Sequence, residues 1–160
     1  MQRFISIALM LIGLTVISQI VAAQDIDKAK KAMSAGDYET ALRELVPLAE
    51  QGHQRAQFQI GELYSYGLGV EKDYALAARY YRMASEQGHA VSQRSLAFLY
   101  FMGRGVEKDI VETYKWHTLA ARTSKTSQRL RASVAKKMTP AQIEEGQARA
   151  DAWLAVNPGK

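Results

Sequence analysis

The chain has 160 residues, 48% of them hydrophobic and 23% charged, with a net charge of +5 and no cysteine. That length fits one domain able to bury its own core. The missing thiols exclude disulfides, thiolate nucleophiles and cysteine-ligated metals.

The first 23 residues are of a different kind from the rest. Arg3 precedes an apolar run from Phe4 to Ile17, and Val21-Ala22-Ala23 supplies small residues of the type a signal peptidase accepts. The run is shorter than the ~20 residues that span hydrocarbon, and Ser18 and Gln19 interrupt its end. The layout predicts a cleaved secretory signal over residues 1–23, with an uncleaved membrane anchor as the rival reading, a mature chain from about Gln24, and no transmembrane segment after cleavage. Only Arg3 is charged in the lost piece, so the net charge becomes +5 − 1 = +4. The expected product is a bacterial periplasmic protein held together by its apolar core, without disulfides.

From there the pattern is helical. A first helix is expected from Ile26 to Ala35 with Ala29, Ala32 and Met33 on its apolar face. The short joint Ser34-Ala35-Gly36-Asp37 leads into a second helix from Tyr38. From Gly52 to Thr123 one motif is then written twice with a period of 36 residues. Gly52, His53, Gln57, Leu63, Tyr64, Gly67, Gly69, Val70, Glu71, Lys72, Asp73 and Ala84 all recur in the second copy. A period in this range marks a solenoid whose units bury their apolar faces by stacking.

Within the first copy, Ala56, Ile60, Leu63 and Tyr64 fall on one helix face. Gly67 and Gly69 stop that helix, and Asp73 stands at the N-cap of the next, Tyr74 to Glu86, which Gly88 closes. Gly61, Ala77, Ala78 and Ala84 are small enough to let paired helices approach closely. The Gly-x-Gly-Val segments lack the preceding strand and the Lys-Ser/Thr of a phosphate loop, so they read as turns. A partial third copy comes first, since Asp37-Tyr38, Ala41 and Glu50-Gln51-Gly52-His53 match Asp73-Tyr74, Ala77 and Glu86-Gln87-Gly88-His89.

After Thr123 the repeat is lost, but helical signals continue. Leu130, Val134 and Met138 form a stripe on a basic helix. Thr139-Pro140-Ala141-Gln142 reads as a capping box, with Met138 and Ile143 placed for a hydrophobic staple. The last helix carries Ile143, Ala150, Trp153 and Leu154, with Trp153 expected to pack over the last repeat.

The motif Ala-x3-Ile-Gly-x-Leu-Tyr-x2-Gly-x-Gly-Val-x2-Asp-x3-Ala, carried from Ala56 to Ala77, resembles the Sel-one-like repeat, a relative of the tetratricopeptide repeat. The resemblance implies an all-α solenoid: a right-handed superhelix of antiparallel helix pairs with a C-terminal capping pair. The organisation that follows is a leading tetratricopeptide-like pair at 24–51, repeats at 52–87 and 88–123, and a cap at 124–160. It also implies a protein or peptide partner held on the concave face. By that resemblance the groove positions are Ile26, Lys30 and Met33 in the leading unit. The first repeat offers Phe58, Glu62, Ser65 and Tyr66, and the second Arg94, Phe98, Phe101 and Met102. Many exported relatives carry cysteine bridges that this chain lacks, so activities reported for that subgroup do not carry over.

Catalysis finds little support in the residues. There is no Gly-x-Ser-x-Gly elbow, and Glu144 and Glu145 are adjacent, so they project from different helix faces. His53 and His89 occupy one position in successive units and read as joint residues, too far apart for a shared metal. His117 stands where the preceding unit has Tyr81, with no nucleophile or acid arranged around it. No cofactor and no metal are expected. Lys115, Arg122, Lys125, Arg129, Arg131, Lys136 and Lys137 form a stretch without a single acid. That stretch offers either a solvated helix face or a patch for an anionic partner, with nucleic acid disfavoured by export. The leading expectation is a non-catalytic envelope adaptor with an unidentified protein or peptide partner. The alternatives are an envelope hydrolase acting on peptidoglycan or a β-lactam, and a regulator docking on anionic polymers.

Overall fold

The computed structural model describes residues 26–159, so the expected signal segment lies outside the described residues. Helices follow one another throughout, and no strand occurs among the described residues. They are α1 (26–34), α2 (Tyr38–Glu50), α3 (Gln54–Tyr66), α4 (Tyr74–Glu86), α5 (Ala90–Met102), α6 (Ile110–Ala120), α7 (Lys125–Ala135) and α8 (Pro140–Val156). The expected α4 matches to the residue, and α1 ends one residue early, in a turn at 35–36. No helix among the described residues is long and apolar enough to cross a membrane.

The caps fall where the sequence placed them. Asp73 accepts from the amides of Ala75 and Leu76, and Asp109 repeats this with Val111 and Glu112. These carboxylates satisfy amides that the first helical turn leaves without partners. His53 and His89 occupy the N-cap positions of α3 and α5, where the His89 side chain accepts from the Ser92 amide. Thr139 and Gln142 form the reciprocal capping box of α8.

The Gly-x-Gly joints stitch one unit to the previous one. Gly69 has φ +68° and lies against Tyr38 at the start of α2; a Cβ there would come within 2.6 Å of the Tyr38 Cβ. Gly105, one period on and also at φ +68°, lies against the Tyr74 backbone, where a Cβ would come within 2.1 Å. The second glycine is therefore required twice over, by a left-handed backbone and by a close approach.

Two apolar cores result. Ala29, Leu45, Leu48, Ala49, Ala56, Ile60 and Leu63 join α1, α2 and α3. Ala77, Ala78, Tyr81, Leu96, Ala97, Leu99, Trp116, Leu119 and Ala150 join α4, α5, α6 and α8. Tyr64 packs against both and stacks on Tyr80 at 6.1 Å between ring centres. Each fully buried Leu or Ile contributes about 1.5–3 kcal/mol. Consecutive helices pack in sequence from α2 through α7, and α8 then folds back onto α6. Trp153 and Leu154 pack against the second core, as expected of a cap.

Candidate functional site

A cleft of about 690 Å³ opens between α3, α5 and α7, with α4 and α6 beneath it. Helix α3 contributes Ser65 and Tyr66, and α5 contributes Arg94, Ser95, Phe98 and Phe101. Leu130 of α7 forms the facing wall, and Lys72 and Arg104 enter from the two Gly-x-Gly joints. Tyr66 is 64% exposed and Phe98 49% exposed, so large aromatic faces stand in solvent at the rim. Of the groove positions implied by resemblance, the fold brings together Ser65, Tyr66, Arg94, Phe98 and Phe101.

The others go elsewhere. Phe58 is half-buried, its ring 5.8 Å from that of Tyr81 and 5.2 Å from that of His89. Met33 packs against the first core with Ile26, and its thioether accepts from Gln59. Lys30 pairs with Asp27 at 3.0 Å. Glu62 is partly buried outside the cleft, and burial raises its pKa above the usual carboxylate value. Met102 is exposed but does not line the cleft.

Two residues that the repeat alignment equates form the floor. Tyr81 is buried, and burial raises its phenol well above the usual value against the opposing hydrogen bonds of Ser65 and Ser95. His117, at 4% exposure, is pushed down to about 4 by burial and then by the Arg94 guanidinium. It is therefore neutral near pH 7, and its Nδ1 has no hydrogen-bond partner. Arg104 lies over the Tyr74 ring at 5.3 Å and donates to its hydroxyl at 3.3 Å. Arg94 and Lys72 make no ion pair among the described residues. The lining thus holds three cations and no carboxylate. Sequence reasoning missed Lys72, Ser95, Arg104 and Leu130 as lining, and it noted the Tyr81-to-His117 change without placing it here. The available signal was that change itself, since a position that differs between copies is released from the demands of the repeat.

The basic stretch is spread over several surroundings. Lys115 pairs with Glu112 at 3.2 Å and lies over the Trp116 ring at 4.7 Å, in a separate polar pocket with Arg82 and Glu86. Arg122 lines a further hollow beside Trp153. Lys125, Arg129 and Lys136 are exposed and Arg131 is partly buried. Lys137 alone reaches the cleft wall, its ammonium 5.0 Å from the centre of the Phe101 ring. No group of three or more potential metal ligands occurs among the described residues.

The Sel1 repeat profile matches residues 54–89 and 90–122. A solved Sel1 repeat protein from Oxalobacter formigenes is similar over 80% of this chain, with 29% identity and a TM-score of 0.67. A protective antigen of uropathogenic Escherichia coli, which displays an SLR fold, is similar over 84% of this chain, with 26% identity and a TM-score of 0.79. The chain spans 30% of the antigen's length and 55% of the Oxalobacter protein's. No curated protein sequence matches the chain. The chain thus carries two Sel1 repeats, at residues 54–89 and 90–122, within an all-helical solenoid similar to solved SLR-fold proteins.

Proposed function

We propose that the protein is an exported scaffold that holds a protein or peptide partner in the cleft between α3, α5 and α7 without transforming it. The observation that carries this reading is the rim itself: Tyr66 and Phe98 spread their rings into solvent over a formed recess. Aromatic side chains beside a pocket are favoured interface anchors. Sel1 repeat proteins are typically protein-interaction scaffolds, which supports the same conclusion. A binding role also suits His117, which is neutral and whose Nδ1 has no carboxylate to orient it for proton transfer.

The Tyr66→Ser/Phe98→Ser double variant tests this. Both residues are exposed, so helicity and melting should change little, within about 0.5 kcal/mol per site. Crosslinking in intact cells should lose the partner seen with the wild-type chain, since an interface anchor contributes about 2 kcal/mol or more. Undiminished crosslinking to the same partner overturns the reading. The export component is tested separately: the chain should fractionate with the periplasm, and its N-terminal sequence should begin near Gln24.

A further inference from the structure

The cleft's charge says what kind of segment fits it. Lys72, Arg94 and Arg104 line it, and no Asp or Glu does. Glu62 acts on the Tyr81 phenol from outside the lining. Arg94 is partly buried and has no ion-pair partner among the described residues. By contrast, Lys115 and Arg149, which are also partly buried, both meet Glu112. A guanidinium held in a recess without a carboxylate is costly unless a ligand supplies one. The wall beyond continues the same sign, since no acid occurs between Thr113 and Ile143 and Lys137 lies against Phe101.

We infer that the cleft selects an acidic peptide segment, with carboxylates meeting Arg94 and Lys72 and an apolar side chain seated between Phe98 and Leu130. The inference rests on the scaffold reading above and adds the chemistry of the partner. A lipid surface fits less well, because Arg94 sits partly buried in a recess that a flat bilayer cannot enter, whereas a single extended chain can. A basic or uncharged segment would leave Arg94 unmatched in the complex. His117 lines the floor without adding charge.

Fluorescence anisotropy with three labelled probe peptides tests this on the purified chain. One alternates Asp with Phe and Leu; the other two carry Ser or Lys in place of every Asp. The Asp peptide should bind about tenfold or more tighter than the Ser peptide, with the preference shrinking as salt rises. Arg94→Gln should abolish the preference and Arg94→Lys keep part of it, whereas Phe98→Ser should weaken the Asp and Ser peptides alike. Circular dichroism on each variant separates misfolding from lost contact, and Lys72→Gln repeats the charge test at a second site. Equal or tighter binding of the Ser or Lys peptide, still dependent on Phe98, overturns the charge selection and leaves the scaffold reading standing. Arg94-dependent binding of phosphatidylglycerol vesicles with no peptide bound overturns both, as does the absence of binding to any probe.

Discussion

At the scale of single residues, the two repeats differ by a coupled exchange. Gly61 faces the Tyr81 ring so closely that a Cβ would come within 2.6 Å of it. One period later the same positions hold Ala97 and His117, a larger backbone neighbour with a smaller ring. Space is conserved while chemistry changes, as close-packed interiors require. The exchange has a pH consequence. His117 is held at about 4 in the folded chain, against an ordinary value of 6.5. Between those values the unfolded chain binds a proton that the folded chain refuses, so stability rises with pH across the window and is lost as pH falls through it. From pH 7 to pH 5 the expected loss is about 2 kcal/mol. The double substitution Ala97→Gly/His117→Tyr, which installs the pair of the preceding unit, should remove that component. Denaturant midpoints for the two proteins at both pH values check it, and an unchanged pH slope in the variant would refute the assignment to His117.

At the scale of elements, one glutamine contact recurs down the solenoid. Gln57 donates to the Ala49 carbonyl at 3.0 Å, and Gln93 donates to the Ser85 carbonyl at 3.2 Å, each tying a helix to the end of the one before. Gln128 of α7 does the same to the Ala121 carbonyl at 2.9 Å. The third contact shows that α7 enters as a further repeat's first helix would, although no Gly-x-Gly joint follows it. Gln93 is buried and the Gly88 amide still holds the Ser85 carbonyl at 2.9 Å, so Gln93→Leu removes one buried hydrogen bond and should cost about 0.5–1.5 kcal/mol in chemical unfolding. Gln128 is exposed, so Gln128→Leu should cost less, because water already competes for the donor of that hydrogen bond. Equal effects at the two sites would show that burial does not set the cost. The central units were legible in the sequence because their identities fall where backbone geometry demands particular residues: Gly69 and Gly105 at the joints, Asp73 and Asp109 at the caps. The register of α7 was not, because Gln128 follows Gln93 by 35 residues instead of 36, and one missing residue breaks the alignment. The cleft was legible only in part. Nothing in the sequence says that Phe58 turns onto Tyr81 and His89 while Phe98 stays in solvent, since both lie on the same kind of helix and only tertiary packing separates them.

At the scale of the whole molecule, stability is divided between two cores that share Tyr64, and the cap belongs to only one of them. Helix α8 closes the second core through Ala150, Trp153 and Leu154. It is also tied to α6 by Arg149, which donates to Glu112 at 2.8 Å and pairs with Glu145 on its own helix. The two kinds of contact should differ in worth. Arg149 is 39% exposed, so its ion pairs contribute about 0–1 kcal/mol. Trp153 covers apolar surface, and truncating a large aromatic typically costs about 3–5 kcal/mol when it is fully buried, less here where burial is partial. In a solenoid such a loss passes to nearest neighbours first. Trp153→Ala should therefore speed amide exchange at Leu96, Leu99 and Leu119 well before it does so at Leu45 and Ile60, while Arg149→Ala leaves both sets nearly unchanged. Equal acceleration in the two cores would mean that the array unfolds as one unit, and that the cap protects the cleft and the leading helices alike. A graded response would instead place the floor of the cleft, with Tyr81 in the second core, under the control of the C-terminal helix. Cap variants would then weaken partner binding through loss of order in the cleft, with no cleft-lining residue altered.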